Sequence, residues 1–75
     1  MGSPAAERLR RSGIHPSTQR MAVAEFVLVT EAHPSAQQVW EEVKARVPNI
    51  SRATVYNTLN LFVKKGLLRQ IPLAE

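Results

Sequence analysis

S-R-A-T-V-Y-N-T-L-N-L-F-V-K-K-G, residues 51–66, is the stretch on which the reading of this chain turns. Ser51 is a residue type whose hydroxyl accepts from the free N–H groups of a first helical turn. Gly66 tolerates the left-handed backbone that closes many helices. Between them Val55, Leu59, Phe62 and Val63 recur at steps of three and four, so they share one face. At about 100° per residue, the opposite side carries Ala53, Thr54, Asn57, Asn60 and Lys64, flanked by Arg52 and Tyr56. That face is small, hydrogen-bonding and lightly basic, which suits the major groove of DNA.

The neighbours of this helix extend the pattern. Ser35 precedes an apolar stripe of Ala36, Val39, Trp40, Val43 and Val47, and Gln38 stands at the capping-box position. Glu41, Glu42, Lys44 and Arg46 fall on its solvent side. Pro48, Asn49 and Ile50 make a short turn. Two compact helices joined in this way, the second with a polar outer face, describe a helix-turn-helix. Upstream, Ser17 or Thr18 caps a helix predicted to run to about Ala32. It is apolar almost all round, as expected of the buried centre of a small bundle. A short basic helix from Pro4 to Ser12, anchored by Leu9 and closed by Gly13, comes first. Downstream, Leu67 to Ile71 reads as a strand stopped by Pro72.

A single strand lacks a ladder partner, so it reads as the first arm of a wing whose return arm is missing. The expected fold is therefore mainly α, a winged helix-turn-helix with a three- to four-helix core and a truncated β wing. Residues 1–75 form one domain on this reading, a fragment of a longer protein.

Ten Lys/Arg against six Asp/Glu give a net charge of +4. Arg8, Arg10, Arg11 and Arg20 lie near one end, and Arg52, Lys64, Lys65 and Arg69 near the other, so both groups can meet on one side. This raises the expectation of a nucleic-acid partner without deciding it. The absence of cysteine excludes disulfides and thiolate zinc sites. No apolar run approaches the length of about 18 residues that a membrane span needs, and the N-terminus has no signal core. A cytoplasmic protein is expected. No nucleophile–base set, paired carboxylates or Gly-rich phosphate loop stands out, so an enzyme is not expected.

Candidate DNA contacts cluster at the start of the last helix. Ala53, Thr54 or the Tyr56 ring can meet thymine methyl groups, Asn57 can pair with adenine, and Arg52 can reach guanine or phosphate. Arg20 either holds a phosphate or is an ordinary exposed arginine. Lys64, Lys65 and Arg69 either approach the DNA backbone at the wing root or complement a helix C-terminus. Trp40 reads as core, from its place in the stripe. Leu61 sits on the polar side, where it touches the wing or a partner. A second reading, a winged-helix protein-interaction module without DNA readout, rests on that residue and the exposed face of the last helix. By spacing alone, His15 and His33 are loop residues.

S-R-A-T-V-Y-N-T-L and F-V-K-K-G-L-L, preceded by G-I-H-P-S-T-Q-R and H-P-S-A-Q-Q-V-W, resemble the signature of the ferric uptake regulator family. The order and spacing match from Arg8 onward. The turn P-N-I-S and the pair Tyr56-Asn57 resemble its peroxide-responsive branch. The resemblance implies the N-terminal DNA-binding domain of a metal-dependent, homodimeric bacterial repressor acting on AT-rich palindromic operators. It implies that Tyr56 reads thymine, that Ser51, Arg52, Thr54 and Asn57 lie near bases or phosphates, and that Arg20 holds the backbone. His15 stands where relatives place a Lys or Arg for the minor groove. His33 matches the regulatory-metal ligand contributed by this domain. Fe(II), Mn(II) or Zn(II) would be held only in the full-length protein, with no cofactor in this fragment.

Overall fold

Three serines and two glycines punctuate the fold. The computed structural model describes residues 4–28 and 34–69, which form α1 (Pro4–Arg11), α2 (Thr18–Val27), α3 (Ala36–Val43) and α4 (Arg52–Lys64). The architecture is mainly α. Ser17 Oγ accepts from the Arg20 N–H and caps α2. Ser35 and Gln38 exchange reciprocal bonds of 2.8 and 3.1 Å, completing the capping box of α3. Ser51 Oγ accepts from the Thr54 N–H at the head of α4. Such a cap stabilises a helix by about 1 kcal/mol.

Gly13 and Gly66 close α1 and α4 with φ of 80° and 84°. The same pair of bonds accompanies each. Gly13 N–H donates to the Arg10 carbonyl and Ile14 N–H to that of Leu9, at 3.0 and 2.8 Å. Gly66 N–H donates to the Val63 carbonyl and Leu67 N–H to that of Phe62, at 3.1 and 2.8 Å. This is the Schellman arrangement, in which the residue after the glycine folds back over the helix end. Ile14 and Leu9 are both buried, so the α1 closure also plugs the core.

The α4 closure corrects the expected strand. Leu67 to Arg69 are bends, and the amides of Leu67 and Leu68 both donate to the Phe62 carbonyl. They are tied to the helix and unavailable to a ladder. Gln70 and Ile71, the rest of that expectation, lie outside the described residues. The helix expected to reach Ala32 is assigned only to Val27, capped by Leu28, whose N–H donates to the Ala24 carbonyl; residues 29–33 lie outside the description. The apolar stripe of α3 outlasts the helix itself. Lys44 is its C-cap, and Val47 bonds back to Val43 in the turn that follows.

α2 packs on α1, α3 and α4, while α3 and α4 pack on each other. The all-round apolar helix is thus the hub of the bundle, as its composition predicts. The core joins Leu9, Ile14, Val23, Val39, Val43, Val55, Leu59 and Phe62 from all four helices and their turns. Burying each large side chain contributes about 1.5–3 kcal/mol. Ile50, just before the Ser51 cap, and Val55 are both buried in this core, the positions of a hydrophobic staple that sets how the chain enters α4. Glu25 and Arg46 add an ion pair of 2.6 Å between α2 and the turn after α3.

Candidate nucleic-acid interface

The buried residues of α4 are Val55, Thr58, Leu59 and Phe62. That leaves Arg52, Ala53, Tyr56, Asn57, Asn60 and Lys64 exposed along the other side. Among the described residues Tyr56 is the one exposed large hydrophobic side chain, at 37%. A phenol ring left in water on a helix face is poised to contact something outside the protein. Thr54 sits between the two sides, half-buried, its hydroxyl 3.0 Å from that of Ser51.

The start of α2 lies beside this face. His15, Ser17, Gln19 and Arg20 line one side of an open depression, and Thr54, Asn57, Thr58 and Leu61 line the other. Four of the sequence-predicted contacts, His15, Arg20, Thr54 and Asn57, therefore share one hollow. The Arg20 guanidinium donates to the His15 carbonyl at 3.1 Å. This bond ties the side chain back to its own connector. His15 itself is exposed.

Trp40 departs from the expectation of a core residue, and Arg52 lies beside it. Trp40 is only half-buried. Its ring carries Lys44 Nζ at 4.1 Å and Arg52 Cζ at 4.6 Å from the centroid. Its indole N–H donates to the Ile50 carbonyl at 3.2 Å. Trp40 is thus packed at the rim, where the stripe of α3 meets the head of α4. At such sites a cation over an indole contributes about 0.5–1 kcal/mol.

The family model described as "Ferric uptake regulator family" matches residues 11–75. The chain belongs to the ferric uptake regulator family. Among curated relatives, the peroxide-responsive repressor PerR of Staphylococcus saprophyticus is 33% identical over 67 residues, covering 89% of this chain and 45% of that protein. The peroxide operon regulator of Bacillus subtilis is 36% identical over 67 residues, covering 89% of this chain and 46% of that protein. PerR of Staphylococcus aureus is 33% identical over 63 residues, covering 84% and 43%. The chain spans about half the length of the curated relatives it matches. These names agree with the peroxide-responsive branch to which the residues 48–57 point.

In this family member the remaining predicted residues are dispersed. Lys64 is exposed on the same face of α4, but ten residues beyond Thr54, about 15 Å along the axis. Arg69 is exposed in the bends after α4. His33 lies outside the described residues. Among the described residues no three His, Cys, Asp or Glu side chains converge, so those residues alone build no metal centre. Among those residues too, no helix is long and apolar enough to cross a membrane.

Leu61 is half-buried against the core and also lines the hollow beside Asn57. Its polar-side position in the helical projection is the edge of α4 that turns toward α2. It is thus packed partly against the core and partly open to the hollow. Sequence reasoning missed three participants. Gln19 lines the hollow. Thr58 is 6% exposed, and its hydroxyl satisfies itself on the Thr54 carbonyl at 2.8 Å. Lys44, assigned to open solvent, lies over Trp40. The i, i+4 return bond available to a helical Thr was the one signal that could have found Thr58.

Proposed function

We propose that this chain is the DNA-binding unit of a metal-dependent, peroxide-responsive transcriptional repressor. It is a helix-turn-helix in which α3 and α4 are the two helices and α4 enters the major groove. The supporting observation is the uncovered head of α4, with Arg52, Ala53, Tyr56 and Asn57 exposed next to the hollow that holds His15 and Arg20. In helix-turn-helix proteins the N-terminal residues of the second helix meet base edges.

Each residue then has a defined task. Tyr56, with Ala53 and Thr54, packs against thymine methyl groups, and Asn57 reads adenine through paired hydrogen bonds. Arg20, with Ser51 and Arg52, holds phosphates, and Lys64 and Arg69 strengthen the hold farther along. His15 approaches the minor groove, where a narrow A-tract draws positive groups. The sites are AT-rich palindromes, read by two copies in a homodimer. In the complete regulator His33 would ligate Fe(II), Mn(II) or Zn(II) with donors from a second domain. Bound metal would set the two readers at the spacing of successive major grooves. The work is regulatory, not catalytic, and is done in the cytoplasm. A lone reader lacks the avidity of the pair and binds weakly.

The test is fluorescence anisotropy on an AT-rich palindromic duplex and a GC-rich duplex of equal length, across a salt series. The reading expects tighter binding to the AT-rich duplex and affinity that falls steeply as salt rises. A slope near zero on both duplexes would refute it.

A further inference from the structure

Trp40 joins two cations to the start of the reader helix, and nothing in the base-reading scheme uses it. Its indole is fixed from three directions. The N–H is bonded to the Ile50 carbonyl, one residue before the Ser51 cap. Lys44, the C-cap of α3, and Arg52, the first residue of α4, both lie over the ring. Among the described residues the ion pairs are Glu7–Arg11 and Glu25–Arg46, so no carboxylate there neutralises either cation. The nearby Glu41 carboxylate accepts from Gln37. Two positive groups drawn to one ring repel each other. The ring quadrupole offsets part of that repulsion, but it does not cancel charge. The positive end of the α4 dipole adds to the field at the same place.

We infer that Trp40 is a positioning residue that presents Lys44 and Arg52 as a paired phosphate clamp beside the reader helix. The ligand is the phosphodiester backbone of duplex DNA, and the inference rests on the DNA-binding function proposed above. A guanidinium stacked on an indole keeps its N–H edge free, and that edge matches a phosphate. Arg52 held this way contacts backbone and does not read guanine. The hydrogen bond to Ile50 keeps the ring, and with it both charges, in fixed register with Tyr56 one turn along α4.

The test measures duplex binding across a salt series for the protein, for Trp40→Leu, for Trp40→Phe and for the double variant Lys44→Ala/Arg52→Ala. The double variant is expected to lower the slope of log affinity against log salt by about two, one for each cation. Trp40→Leu is expected to produce a comparable drop, equal on AT-rich and GC-rich duplexes, and no further drop when added to the double variant. Trp40→Phe, which keeps a ring, is expected to fall between. Circular dichroism identifies a variant that fails to fold. Should Trp40→Leu do so, the intrinsic emission of Trp40, the only tryptophan in the chain, provides the readout. It is expected to change on saturation with duplex, and to change less in Arg52→Ala. Trp40→Leu with an unchanged slope, or an additive loss in the double-variant background, overturns the clamp while leaving the Tyr56-dependent reading standing. Unchanged emission at saturation does the same. If the unsubstituted protein shows no salt-dependent duplex binding, the clamp and the proposed function fall together.

Discussion

The Arg20 guanidinium donates to the His15 carbonyl across 3.1 Å, bridging the first turn of α2 to the connector before it. The bond is exposed and, among the described residues, is the one shown for the guanidinium, which keeps donors to offer a phosphate. Arg20→Ala is expected to weaken duplex binding by the same factor on every sequence and to reduce the salt slope by about one. A salt series on two duplexes measures both. An unchanged slope would mean that the guanidinium serves the connector and never touches DNA.

Tyr56 is expected to behave in the opposite way. Tyr56→Ala should cost about 1–3 kcal/mol on AT-rich duplexes and erase the preference at the thymine it meets. The ring is 37% exposed, so folding stability should fall by about 1 kcal/mol, well short of the loss from a core residue. Competition among duplexes with single base changes tests the first point and a urea melt the second. Equal weakening on all duplexes would remove Tyr56 from base reading.

Phe62 supports α4 from beneath. It is fully buried in the core shared by all four helices, and Phe62→Ala should cost about 3–5 kcal/mol. In a domain whose total stability is of order 5–15 kcal/mol, this should lower the urea midpoint severely and abolish binding through unfolding. Thr58→Val should be far milder, because the hydroxyl it removes bonds only within its own helix. Comparable losses for the two would mean that the Thr58 hydroxyl matters more to the fold than its single bond indicates.

Gly66 holds φ at 84°, and a Cβ added there would meet nothing within 4 Å. The cost of Gly66→Ala is therefore conformational, about 1–2 kcal/mol. Gly66→Asn should cost less, since Asn enters the left-handed region more readily. Thermal melts of the two variants provide the comparison; a neutral Gly66→Ala would contradict the left-handed closure.

Much of the fold is legible in the sequence because its boundaries are local. Ser17, Ser35, Ser51, Gly13 and Gly66 each act on backbone groups within five residues, so the helices they bound can be read along the chain. The hub role of α2 is legible from its composition for a similar reason. Leu67 to Arg69 depart from the strand reading because an apolar run looks alike whether its amides face a neighbouring strand or fold back onto a helix end. Trp40 was placed too deep because helical periodicity gives the direction of a side chain but not how far the next element covers it. Of the candidate site, the polar face of α4 follows from periodicity. The meeting of His15 and Arg20 with Thr54 and Asn57 does not, since it depends on how α2 crosses α4. The resemblance to the ferric uptake regulator family was carried by short motifs, and the family match over residues 11–75 agrees with it.

The closure at Gly66 has a mechanical consequence. A helix whose last turn frays would act as a soft spring, dissipating any pull on the chain beyond it. Here the Leu67 amide is latched to the Phe62 carbonyl, and Phe62 is seated in the core. A load applied at residue 67 is therefore passed to the core at Phe62 instead of being spent on unwinding a last turn.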